Sequence, residues 1–239
     1  ADIERLARAM NVRQRKLVTP DGVSTRYTDK DTLEVLVLAL AGAVKPRLLS
    51  ALARHGVTAV GLTGLDGAFL RARRVARLRA IVDGHRVVVR DNHAGVITTV
   101  DTSLLKGLLG LDLVPVISPP ALAEDGNPVN ADADRVAAAV ASAAGAGDLI
   151  MLTGVPGVLR DPADERSLLT SCAVPAEGRP AEWVHAGMAL KLIAAREALQ
   201  AGVPRVRIAD GRTGRPVTDA LDGHGTRIVL DTQQEAIER

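Results

Sequence analysis

Leu149-Ile-Met-Leu-Thr-Gly-Val-Pro-Gly157 runs from a short apolar stretch into a turn built on two glycines and a proline. An apolar run of that length, closed by such residues, predicts a buried strand. Other runs of the same character are Thr58-Ala-Val-Gly-Leu62, Val114-Pro-Val-Ile-Ser118, Arg205-Val-Arg-Ile-Ala209 and Thr226-Arg-Ile-Val-Leu230. Helical patterns alternate with them over residues 31–44, 46–54, 102–109, 131–144, 187–201 and 216–221. That alternation predicts an α/β fold, an open α/β/α sandwich with a mainly parallel central sheet. Asp31 and Thr32 are placed to cap the first helix, and Gly202 with Pro204 ends the helix before the Arg205 strand. Asp83-Gly84, between Leu-Arg-Ala-Ile-Val and Arg-Val-Val-Val-Arg, predicts a β-hairpin with a type I′ turn over residues 78–90.

The 239 residues suffice for a single domain with a buried core. Apolar residues form 47% of the chain, yet Phe, Tyr and Trp occur once each, so Ala, Val, Leu and Ile must build that core. Cys172 stands alone and cannot form an internal disulfide, and no basic-then-apolar secretory leader opens the sequence, so the cytoplasm is the expected compartment. Lys45, Arg47 and Arg54 interrupt the longest apolar stretch, and no membrane role is expected. A formal net charge of +2 does not by itself call for nucleic acid. Residues 231–239 lack apolar weight and read as a frayed tail.

The chemical candidates each have an ordinary structural alternative. Pro128-Val-Asn-Ala-Asp132 leads into the alanine-rich helix and sets Asn130 and Asp132 at its N-terminus, as plain caps or as a substrate-binding amide and an orienting carboxylate. Thr153-Gly154-Val155-Pro156-Gly157 lies where parallel strands bind nucleotides, although glycine and proline end many strands. Gly187-Met188-Ala-Leu-Lys191 opens a helix with a cation one turn in, either solvated or aimed at phosphate oxygens. Gly61-Leu-Thr-Gly64-Leu-Asp-Gly67 permits close backbone approach to a ligand. The arginines after it, Arg71, Arg73, Arg74, Arg77 and Arg79, either blunt a strand edge or meet an acidic partner. Arg26 offers paired donors to a carboxylate, or is a surface arginine. The five histidines show no metal-ligand spacing.

Taken together and in order, these motifs resemble the amino-acid kinase family, specifically its acetylglutamate-kinase branch, from about Ala1 to Leu230. Asn130-Ala-Asp132 resembles the family's substrate-binding and site-organising segment, 152–159 its nucleotide-binding strand and turn, and Lys191 its transition-state lysine. Arg26 resembles the arginine that holds the substrate carboxylate, and Gly225-Thr-Arg-Ile-Val the closing strand. Gly61 and Gly64 with Arg73-Arg74 are similar to kinases whose substrate amino acid is attached to the carrier protein LysW.

The resemblance implies ATP-dependent phosphorylation of the side-chain carboxylate of carrier-linked aminoadipate or glutamate, in lysine or arginine biosynthesis. Mg²⁺ would accompany the ATP, and the protein would form a homodimer or larger homo-oligomer. It further implies an acyl-substrate half at about 1–120 and a nucleotide half at about 121–230. Arg71, Arg73, Arg74 and Arg77 would contact the acidic carrier. An N-acetylglutamate kinase, or a non-catalytic homologue that binds carrier or nucleotide, is the alternative. The family's Lys-x-Gly-Gly and His-Gly-Gly motifs have no counterpart here, and Ala1-Asp-Ile-Glu resembles the residues just after the second motif, so the family's N-terminal strands are expected upstream.

Overall fold

The computed structural model describes residues 2–19, 24–82, 85–181, 183–184 and 186–231. The chain falls into two compact units, Ala1–Val136 and Ala137–Arg239. The mixed α/β architecture is the one expected, with its strands divided among several hydrogen-bonded sheets.

The first unit opens with α1 (Asp2–Ala9), β1 (Arg15–Val18) and β2 (Ser24–Tyr27). A continuous helical run comes next: α2 (Lys30–Val37), a π-helical turn (Leu38–Val44) and α3 (Lys45–Arg54). Asp29, not Asp31 or Thr32, caps α2, its carboxylate accepting from the Thr32 amide at 2.9 Å. Extended φ/ψ at Asp29 and a free amide three residues on make the better cap. The π turn precedes Pro46, which has no N–H to give and whose ring crowds the carbonyl one turn back; the widened turn, with the Lys45 amide bonded to the Leu40 carbonyl, absorbs it. Lys30–Arg54 is long and apolar enough to cross a bilayer by length and composition, which the expectation from its charges did not allow for. Here it packs on α1 and on strands of the same unit, burying Leu33, Val35, Leu36 and Ala39.

The unit continues through β3 (Ala59–Thr63), β4 (Leu70–Val75), β5 (Leu78–Val82), β6 (His85–Val89), β7 (Ala94–Val100), α4 (Ser103–Leu109), β8 (Val114–Ser118), β9 (Ala121–Ala123) and β10 (Pro128–Ala131). β3 and β8 pair in parallel, with α3 packed on β3 and α4 on β8. β10, β7, β4 and β9 close into a small barrel, and β2, β1, β5 and β6 form an antiparallel sheet. The hairpin of β5 and β6 is present as expected; its turn, Asp83-Gly84, lies outside the described residues.

The second unit begins within α5 (Ala133–Ala144) and contains β11 (Asp148–Thr153), β12 (Ser171–Pro175), α6 (Ala186–Gln200), β13 (Arg205–Asp210), α7 (Pro216–Leu221) and β14 (Thr226–Asp231). Its sheet order is β11-β13-β14-β12, with β14 antiparallel to β13 and parallel to β12. Met151, Val174, Val206, Ile208 and Ile228 pack with Leu192, Ala195 and Ala198 of α6 into an aliphatic core, as the scarcity of aromatics requires. Residues 232–239, the expected tail, lie outside the described residues.

Candidate functional site

In the first unit the candidates gather around Thr28, which is fully buried just after β2. Its amide donates to Asn92 Oδ1 at 3.2 Å and its carbonyl accepts from the His93 amide at 2.6 Å. Asn130 reaches the same residue, Nδ2 to Thr28 Oγ1 at 3.4 Å, while the Asn130 amide donates to the His93 carbonyl at 2.8 Å. Asn130 is therefore bonded to Thr28, while Arg26, predicted separately, is near it only through the chain, two residues earlier on β2. Asn130 is on β10, paired with Ala94 of β7, and so precedes the helix start by more than a cap position. Asp132 does cap α5, accepting from the Arg135 amide at 3.0 Å. The half-buried side chain of Arg26 forms no hydrogen bond or ion pair among the described residues.

The glycines of the 61–67 loop have internal reasons to be glycine. A Cβ at Gly61 would lie 2.6 Å from Lys45 Cδ, and one at Gly64 would lie 2.7 Å from the Pro120 carbonyl oxygen. Lys45 itself is buried with its ammonium donating to the Leu62 carbonyl. Burial pulls its pKa below the ordinary lysine value, against the opposing charge of Asp66. Asp66 accepts from the Thr63 amide at 2.6 Å and Thr63 Oγ1 at 2.7 Å, and these bonds hold its carboxyl below the usual range. The loop's carbonyl and turn are thus braced from both sides.

The arginines separate. Arg71 and Arg73 are exposed on one face of β4, and Arg77 and Arg79 are exposed at and inside β5. Arg74 instead turns inward, Nη2 to Asp91 Oδ1 at 2.9 Å and Nε to the Asn92 carbonyl at 3.0 Å, so its guanidinium is already engaged. Alternation along β4 explains the difference, because successive side chains leave opposite faces of a strand.

In the second unit Thr153, Val155, Gly157, Gly187, Met188 and Lys191, all predicted, line one cavity of about 350 Å³. Leu159, Pro162 and Val184 complete its wall. Gly154 and Pro156 belong to the same turn without lining the cavity. A Cβ would meet nothing within 4 Å at Gly187, whereas at Gly157 it would lie 2.6 Å from Thr226 Oγ1. Val158 N donates to that hydroxyl at 2.9 Å, and the hydroxyl donates to the Leu169 carbonyl at 2.6 Å. The turn's shape is therefore fixed by Thr226 of β14.

Several supporting residues carry no local sequence signal. Arg212 bridges Asp210 and Glu165, each at 2.7 Å, and so fixes the loop that supplies Pro162. Arg160 lies 4.8 Å over the Trp183 ring beside Val184; the chain's single Trp was the one pointer to it. Cys172 is buried and its thiol is pushed upward by burial, as an inert core cysteine would be.

An α/β chain with a largely apolar cavity at the carboxyl end of a parallel strand, and a helix lysine on its wall, has the features of a nucleotide-using transferase. The sequence pattern of the Amino acid kinase family matches residues 3–210, and this chain belongs to that family. It is 37% identical over 227 residues to a [LysW]-aminoadipate kinase of Deinococcus radiodurans, covering 95% of this chain and 78% of that one. It is 38% identical over 210 residues to an acetylglutamate kinase of Syntrophobacter fumaroxidans, covering 85% and 70%. Among solved structures, N-acetylglutamate synthase from Neisseria gonorrhoeae superposes with a TM-score of 0.72 at 28% identity, covering 96% of this chain and 50% of that one.

Proposed function

We propose that this chain is an ATP-dependent kinase that phosphorylates the side-chain carboxylate of aminoadipate or glutamate carried on an acidic amino-group carrier protein. The observation that carries this reading is the second unit's cavity, where an apolar wall suits a purine and Lys191 suits phosphate oxygens. The likeness to the Deinococcus radiodurans enzyme supplies the acceptor class.

On this reading the substrate carboxylate, already ionised at neutral pH, attacks the γ-phosphorus in line. The P–O bond to ADP breaks as the acyl–phosphate bond forms, and no general base is required. Arg26 pairs with a carboxylate of the carried amino acid, Asn130 donates its amide to it, and the backbone at Gly61 and Gly64 supports it in the first unit. Thr153, Gly154, Val155, Pro156, Gly157, Gly187 and Met188 border the nucleotide in the second. Lys191 stabilises charge on the transferring group, and Asp132 orients neighbouring cations through the oxygen not used in capping. Among the described residues no group of three or more His, Cys, Asp or Glu is gathered for a metal, so Mg²⁺ would be held by phosphate oxygens and water. Arg71, Arg73 and Arg77 add to the field that draws the carrier, with Arg74 shaping the loop behind them. The reading takes the protein as cytoplasmic and homo-oligomeric, without nucleic-acid or membrane partners.

The acetylglutamate kinase likeness favours a second reading, in which the acceptor is free N-acetylglutamate. Measuring kcat/KM for ADP release with carrier-linked aminoadipate against free N-acetylglutamate decides between them. The first reading expects preference for the carrier-linked acid, and a preference for the free acid overturns it.

A further inference from the structure

The antiparallel sheet β2-β1-β5-β6 has two unlike faces. Register pairs Lys16 with Arg26, Val18 with Ile81, Ile81 with Arg86 and Arg79 with Val88. Directly opposed residues share a face, and so do residues two apart on one strand. Lys16, Val18, Arg26, Arg79, Ile81, Arg86 and Val88 therefore lie on one side. The other side turns inward, with Tyr27 and Ala80 buried. On the outward side Val18, Ile81 and Val88 are 42%, 37% and 55% exposed. Lys16, Arg79 and Arg86 are exposed as well.

A face built only to stay in water has no use for three open aliphatic side chains set among four cations. Val18, Ile81 and Val88 give desolvation energy only if something covers them. No Asp or Glu occupies a strand position of this face. The side chains of Arg79 and Arg86 make no hydrogen bond or ion pair among the described residues, and Lys16 feels the field of Glu4. Arg77 and Arg90, exposed just beyond β5 and β6, extend the positive rim. The four strands span about 14 Å from the β2 row to the β6 row at the usual strand spacing. A patch of that width suits a transient encounter better than a permanent dimer.

We propose that this outward face is the docking surface for the acidic carrier, which seats apolar side chains on Val18, Ile81 and Val88 and sets carboxylates against Lys16, Arg79 and Arg86. This rests on the carrier-linked reading above. What selects the carrier over an anionic lipid surface is Arg26. The residue assigned to the carried amino acid's carboxylate belongs to the same face, one strand from Lys16, so docking and presentation of the substrate use one continuous surface.

The test is association of the full chain with LysW loaded with aminoadipate, followed by stopped flow from low to physiological salt. Arg79→Gln/Arg86→Gln should lower the on-rate about tenfold or more and flatten its salt dependence. Val88→Asp, at an exposed position, should do the same by repulsion. Arg54→Gln/Lys106→Gln, which removes equal charge elsewhere on the unit, should stay within about twofold of the parent. ATP affinity should be unchanged in all of them. If both face variants bind like the control while the parent phosphorylates the loaded carrier, the docking face is wrong and the function stands. If the parent neither binds nor phosphorylates the carrier and consumes free N-acetylglutamate, the function falls and the docking face with it. Phosphatidylserine vesicles form the remaining arm: sedimentation lost in Arg79→Gln/Arg86→Gln, with carrier binding intact, would reassign the face to lipid.

Discussion

Replacing Asn92 by Ala tests the support beneath the residues proposed to hold the acyl substrate. Asn92 is 1% exposed, accepts from the Thr28 amide at 3.2 Å and donates to the Val75 carbonyl at 2.9 Å. Alanine leaves two backbone groups without those partners, in a place where Thr28 is itself fully buried. Each orphaned buried group costs about 1–3 kcal/mol, so the loss should be roughly 2–6 kcal/mol. Even the lower figure should drop Tm by at least about 4 °C in a chain of this length. The damage should also be directional. Thr28 comes just after β2, which carries Arg26, and its hydroxyl receives the Asn130 amide, so acyl-substrate affinity should fall by about tenfold or more. The cavity of the second unit does not use Asn92, and nucleotide affinity should hold. Differential scanning calorimetry with separate titrations of acyl substrate and ATP measures all three. A Tm within about 2 °C of the parent, or equal weakening of both ligands, would refute the reasoning.

Lys191→Ala should remove phosphoryl transfer, raising the barrier by about 3–4 kcal/mol with little change in the unfolding curve; a single-turnover rate within a few-fold of the parent would contradict it. Gly157→Ala should destabilise by about 1–3 kcal/mol, because the new methyl would meet Thr226 Oγ1 at 2.6 Å and the Thr226 amide nitrogen at 3.1 Å; urea unfolding reads the loss. For Asp66 the folded pKa lies below its ordinary 3.8, so its stabilising contribution is present above that value and lost as pH falls through the lower folded one. Asp66→Asn should accordingly flatten the acid limb of Tm against pH below about 4, and an unchanged limb would remove the Thr63 bonds from the account.

The strands at 114–118, 149–153, 205–209 and 226–230 were legible because apolar runs bounded by glycine and proline have few other places to go. Strands of the small antiparallel sheet and the barrel, such as β1, β7 and β9, were not, since their short mixed sequences take meaning only from pairing partners distant in the chain. In the site, Thr153 and Gly157 at a strand end and Gly187 and Lys191 in the first turns of a helix were visible one by one, and only their order along the chain, through the family resemblance, joined them. Asn92 could not: one amide in Arg-Asp-Asn-His gains importance only when Thr28 and Val75 are folded against it. The arginine run was visible as charge, but which members face water depends on strand parity and on Asp91, neither of which spacing reveals.

The last strand, β14, lies between β13 and β12 and ties β12 to the rest of its sheet. Its first residue, Thr226, also fills the space beside Gly157 and receives the Val158 amide. During synthesis, then, the turn proposed to border the nucleotide emerges about seventy residues before the side chain that shapes it, a separation that makes its closure a late event. A nascent chain stalled after residue 175 and before residue 226 carries a β12 with no neighbour and an unset turn. The ability to hold nucleotide should therefore arise abruptly, when the final strand is threaded into the middle of a sheet that has been waiting for it.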